Sequence, residues 1–124
     1  MTFLTPLVFR DDGGFPFTLT RHLICVLNHD EVVVVPIGFR TDLASVPRVL
    51  WALLPPFGRY DAAAVLHDYL YFAPARMTRA DADAVLYEGM LALHVLPFTR
   101  WSIYLGVRLG GWVAWRRYRR FLAQ

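Results

Sequence analysis

Residues 60–94, YDAAAVLHDYLYFAPARMTRADADAVLYEGMLALH, constrain this chain more than any other stretch. Two helix-period runs flank a break at residues 73–77, where Pro74 cannot continue a helix from the preceding turn. His67 lies six positions before that break and Asp83 six positions after it. In an antiparallel hairpin rising about 1.5 Å per residue, both sit roughly 9 Å from the turn. Axes about 8–10 Å apart would let the two side chains meet.

The pattern predicts that Asp83 points inward. Asp83, Leu86, Met90 and Leu93 fall on one stripe at helical spacing. A lone carboxylate on such a seam is costly without a partner. Asp81 is different, because it follows Thr78 by three residues and reads as part of a capping box. The first helix is apolar nearly all round, so it should be buried. His67 and Tyr71 are four apart on it and share a face, and Asp68 is adjacent. Such a cluster is either a satisfied structural network or a site for chemistry.

The chain before this hairpin reads as β-structure. Residues 3–9 and 15–20 flank DDGG, a hairpin turn signal, and 22–28 and 31–38 flank Asn28–His29–Asp30. These runs predict an antiparallel meander over residues 1–38. Residues 39–59 form a connection, with Thr41, Asp42 and Ser45 as turn formers and a short helix PRVLWALL opened by Pro47. Asp42 is a local turn carboxylate or a group that orients or ligates beside His67 and Asp68. The fold class is therefore α+β in a single domain, 1–124: meander, connection, helix hairpin over 60–94 and a long C-terminal helix over 97–122.

That last helix carries an unbalanced charge. Residues 89–124 contain Arg100, Arg108, Arg116, Arg117, Arg119 and Arg120 and no acidic residue. The same segment holds Trp101, Tyr104, Trp112, Trp115, Tyr118 and Phe121, with a kink expected at Gly110–Gly111. Arg100 and Arg108 cut its apolar run well short of the roughly 20 residues that a membrane span needs. Arginine heads with indoles between them suit an anionic membrane surface or a protein partner. Arg116, Arg117, Arg119, Arg120, Trp112 and Trp115 are the expected contacts. Nucleic acid is a third reading, and completion of the core is the structural one.

Composition closes off several classes. Hydrophobic residues are 56% of the chain and mean hydropathy is +0.37, which suggests contact with a partner or membrane surface. All thirteen basic residues are arginine. Cys25 is the single cysteine, so no intrachain disulfide or Cys-rich zinc site can form. The start MTFLTPLVFRDDGG has no basic region followed by a long apolar run, so no signal peptide is expected.

Two resemblances follow from quoted motifs. GFRTDLASVPR, HDYLY and TRADADAVLYEGM, across roughly residues 36–112, resemble a phage and prophage family catalogued as domain of unknown function 1353. That resemblance implies a phage or prophage source, a location in the bacterial host cytoplasm or a phage particle, phage structural proteins as partners, and no established activity. Locally, His67–Asp68–x–x–Tyr71 followed by a carboxylate on the next helix is similar to the active-site helices of secreted phospholipase A2. It implies that His67 is the general base, that Asp83 orients its ring and that Tyr71 braces Asp83. It also implies Ca²⁺ at Asp68, with Asp42 a further candidate. The chain departs from those phospholipases in having no disulfides and no Gly-rich calcium loop. A His-Asp phosphohydrolase site would need another upstream histidine, and only His22 and His29 are available. The leading expectation is a small phage-encoded ester or lipid hydrolase. The rival is a virion, tail or assembly protein whose His/Asp cluster is a buried network.

Overall fold

The computed structural model describes residues 1–10, 17–41, 60–72 and 77–123, with the side chains of residues 17 and 119–123 excluded. The expected DDGG turn, Asp42, the PRVLWALL helix and the Pro74 break lie outside the described residues.

The described chain is α+β, with antiparallel strands first and helices after them. The strands are β1 (Thr2–Phe3), β2 (Phe9–Arg10), β3 (Phe17–Leu19), β4 (Leu23–Val26), β5 (Val32–Val35) and β6 (Arg40–Thr41). They form two three-stranded sheets, ordered β1-β4-β5 and β2-β3-β6, rather than one meander. The expected strand over residues 3–9 splits. Its start pairs with β4, Phe3 opposite Cys25, while its end pairs with β3, Phe9 opposite Leu19. β6 was not expected either. Instead of leaving the sheet at Gly38, the chain returns through β6 to pair with β3, Phe17 opposite Thr41. Backbone hydrogen-bonding groups favour a ladder wherever a neighbouring edge is offered, and two residues suffice to take it.

The β4–β5 hairpin follows its sequence closely. Asp30 takes φ 62°, a left-handed turn conformation that Asp tolerates, and its N–H donates to the Leu27 carbonyl. Leu23 faces Val35 and Cys25 faces Val33 across the ladder, and all four are buried. Their neighbours Val32 and Val34 face outward.

The described helices are α1 (Asp61–Phe72), α2 (Arg79–Ala92), α3 (Pro97–Gly110) and α4 (Trp112–Ala123). α1 is central, packing on α2, α4 and β6. Its Ala63, Ala64, Val65, Leu66 and Leu70 are all buried, as expected of a helix apolar on every side. α1 and α2 are antiparallel: Ala63 meets Gly89, while Tyr71, two turns further on, meets Asp83. A Cβ at Gly89 would lie 3.0 Å from the Ala63 Cβ, so the small pair sets how closely the helices approach.

Caps fix both ends of α2. The Thr78 hydroxyl accepts from the Asp81 N–H at 3.1 Å. At the other end the Val95 N–H donates to the Met90 carbonyl and the His94 N–H to the Leu91 carbonyl, a Schellman arrangement with His94 at φ 59°.

The expected long C-terminal helix is two helices that meet at Gly111. The ladder still runs through the junction, from the Gly111 N–H to Val107 O and from the Trp115 N–H to Gly111 O. One face of α3 and α4 enters the core through Ile103, Val107 and Ala114. Among the described residues, no helix is long and apolar enough to cross a membrane.

Candidate functional site

α1 and α2 bring His67 and Asp83 together. The His67 Nε2 lies 2.7 Å from Asp83 Oδ1, and neither residue is exposed to solvent at all. An ionised carboxylate can only accept, so the hydrogen in this contact belongs to Nε2. Tyr71, one turn after His67, donates its hydroxyl to the same Oδ1 at 2.5 Å. The Tyr71 and His67 rings stack obliquely with centroids 4.2 Å apart, which leaves the imidazole little rotational freedom. Trp115 of α4 packs against Tyr71, edge to face at 5.2 Å.

The second carboxylate oxygen faces two arginines. Arg108 of α3 donates to Asp83 Oδ2 at 2.7 Å, and Arg79 of α2 approaches it at 3.4 Å. Arg79 also donates to the carbonyls of Val107 and Arg108 at 2.9 and 3.3 Å. A guanidinium there meets carbonyls at the negative end of the α3 dipole. Asp83 is thus saturated on both oxygens. Burial alone would raise its carboxyl, but hydrogen bonds from His67, Tyr71 and Arg108 outweigh that and hold it below the ordinary carboxylate value. The Tyr71 hydroxyl moves up, through burial first and its bond to Asp83 second, so it remains a donor.

Asp68 belongs to a separate group. It accepts from the Thr41 hydroxyl of β6 at 2.6 Å and from the Tyr118 hydroxyl of α4 at 3.1 Å. Adjacent residues on α1 therefore reach different partners, His67 toward α2 and Asp68 toward the sheet and α4. Ca²⁺ usually takes six to eight oxygens. Among the described residues, no group of three or more His, Cys, Asp or Glu side chains could hold a metal ion. Asp42, the other expected ligand, lies outside the described residues.

The C-terminal contacts divide. Trp112 is about half exposed and lies under Arg116, whose guanidinium carbon is 5.0 Å from the ring centroid. Arg117 is exposed, and the side chains of Arg119 and Arg120 lie outside the description. Trp115, expected on the docking face, turns inward to Tyr71 instead. Tyr118, one turn later, follows it inward and reaches Asp68.

Four partners escaped the sequence reading: Arg79, Arg108, Thr41 and Tyr118. Only Arg79 left a local signal, standing four residues before Asp83 on the same helix. The other three come from distant elements.

A family model described as "Protein of unknown function (DUF1353)" matches residues 17–107. That span contains Thr41, His67, Tyr71, Arg79 and Asp83. The uncharacterized protein y4jT of Sinorhizobium fredii is 37% identical over 79 residues, covering 62% of this chain. The match covers 23% of that relative, so the chain spans only about a quarter of its length. No solved structure matches the chain.

Proposed function

The chain belongs to the DUF1353 family, and from its buried helix pair we propose a small hydrolase of phage or prophage origin, with His67 as general base. The observation that carries this reading is the 2.7 Å contact between His67 Nε2 and Asp83, with Tyr71 on the same oxygen. A neutral imidazole that donates from Nε2 carries its basic lone pair on Nδ1. In this reading the His67 ring takes the proton of a water as that water's oxygen attacks an ester carbonyl. Asp83 steadies the imidazolium that results, and the ring then returns the proton to the departing alkoxide. Hydrogen bonds from His67, Tyr71 and Arg108 keep Asp83 ionised, and Tyr71 also fixes its angle. Ca²⁺ at Asp68 would polarise the carbonyl. The described donors at Asp68 are too few to hold it, so no step here depends on it.

One observation favours a second reading. His67, Asp68 and Asp83 are all buried, which suits a polar network inside a virion, tail or assembly protein. For the hydrolase, burial requires an opening motion before substrate enters.

Turnover of a short-chain p-nitrophenyl ester and of a phospholipid, with and without Ca²⁺, separates the two. His67→Gln keeps an N–H for Asp83 and removes the base. A hydrolase should lose turnover in this variant while its melting temperature stays close to wild type. Wild-type protein inert on both substrates would instead support the structural network.

A further inference from the structure

The surface of α3 and α4 away from the core carries an exposed apolar stripe, touched at one edge where Trp101 packs on Tyr87 of α2. Phe98, Trp101, Leu105, Leu109, Trp112 and Val113 are all exposed, Phe98 and Leu109 at 79% each. Placed at 100° per residue along the ladder that runs through Gly111, the six fall within roughly 120° of one another. Ile103, Val107 and Ala114 occupy the opposite face and fill the core. The stripe is therefore not the helix's packing face. It is a second apolar face, about 20–25 Å long at 1.5 Å per residue.

The helices that bear it carry a single sign of charge. No acidic residue occurs between 89 and 124. Arg116 and Arg117 extend the stripe at its α4 end, both exposed. A protein interface usually surrounds its apolar centre with a mixed polar rim. A helix with Phe, Leu and Trp on one face, arginines beside them and no acids matches an element lying in a lipid interface. Trp101 and Trp112 suit the headgroup boundary, with an apolar ring and one N–H donor.

We propose that the stripe from Phe98 to Val113 docks this protein onto an anionic lipid surface, with α3 and α4 lying in the interface plane and Arg116 and Arg117 at the headgroups. The docking face is thus mainly α3, and the inward-turned Trp115 takes no part in it. This inference does not depend on the role of His67.

Co-flotation tests it, using vesicles of phosphatidylcholine mixed with phosphatidylglycerol and vesicles of phosphatidylcholine alone. The intact chain should float with the mixed vesicles, less so as salt rises, and weakly or not at all with the neutral ones. Leu105→Ser and Leu109→Ser should each lower binding about tenfold, since burying a leucine side chain is worth at least that factor. Both residues are exposed, so the variants should melt with wild type. Ile37→Ser, exposed on the sheet side, should float normally. His67→Gln should also float normally, which separates this outcome from the enzymatic one. Failure of the intact chain to float with mixed vesicles would overturn the proposal. So would stripe variants that float as wild type does. A concentration-dependent dimer that Leu109→Ser dissolves, without vesicle binding, would assign the stripe to a second copy.

Discussion

Replacing Tyr71 by Phe should have opposite effects with and without Asp83. In the native protein the Tyr71 hydroxyl donates to Asp83 Oδ1 at 2.5 Å, and the carboxylate keeps His67 and Arg108 when that hydroxyl is gone. Tyr71→Phe alone should therefore cost about 0.5–1.5 kcal/mol, the net worth of one hydrogen bond. Asp83→Ala leaves the His67 N–H and the Tyr71 O–H without their acceptor, and both residues are fully buried. Each orphaned donor costs about 1–3 kcal/mol, so this variant should lose roughly 2–6 kcal/mol. The arginine side contributes little to that total. The Arg79 and Arg108 side chains are 22% and 34% exposed and can return to water. In the Asp83→Ala background, Tyr71→Phe then removes an orphan, and its effect should be near zero or stabilising. Urea unfolding of the four proteins measures the cycle, with an expected coupling of about 1–3 kcal/mol. An equal cost of Tyr71→Phe in both backgrounds would refute the argument, because it would show that Asp83 is not the acceptor that matters.

Gly111→Ala should destabilise by about 1–3 kcal/mol, because the added Cβ would lie 2.5 Å from Val107 O and 2.7 Å from the Tyr71 hydroxyl. Thermal melting checks this, and an unchanged midpoint would contradict it. Truncation after Gly111 should also harm folding, since it removes Trp115 from Tyr71 and Tyr118 from Asp68; near-UV dichroism and a lowered melting temperature report the loss. Asp83 has a folded-state value below its ordinary 3.8, so its stabilisation is present above that pH and disappears as pH falls through the lower folded value. The stability gap between wild type and Asp83→Asn should accordingly be flat near neutrality and shrink in acid unfolding curves below pH 3.8. Burial pushes the Cys25 thiol up to about 11. Its labelling by a disulfide reagent at mildly alkaline pH should be roughly 100-fold slower in the folded chain than in urea.

The sequence by itself determined the two central helices, the β4–β5 hairpin and the level of the His/Asp pair. Helix period, Pro74 and the Thr78 cap are features of contiguous residues, and they placed His67 and Asp83 at equal distances from one break. The apolar stripe through Leu86 and Met90 showed that Asp83 had to be buried, and it is. The α+β class followed from the same local periods. Tertiary structure alone decided what surrounds the pair. β6 pairs with β3 because an open sheet edge lay within reach, and that return carries Thr41 to Asp68, 27 residues away. Arg108 meets Asp83 from 25 residues away and Tyr118 meets Asp68 from 50. Nothing near either residue in the chain marks it, because a side chain's helical period gives its face but not the neighbour that face will meet. Trp115 shows the same limit. An arginine-rich, aromatic segment reads alike whether its tryptophans face lipid or core. Only the packing of α4 on α1 turned Trp115 inward and left the outward apolar face to α3 and the start of α4.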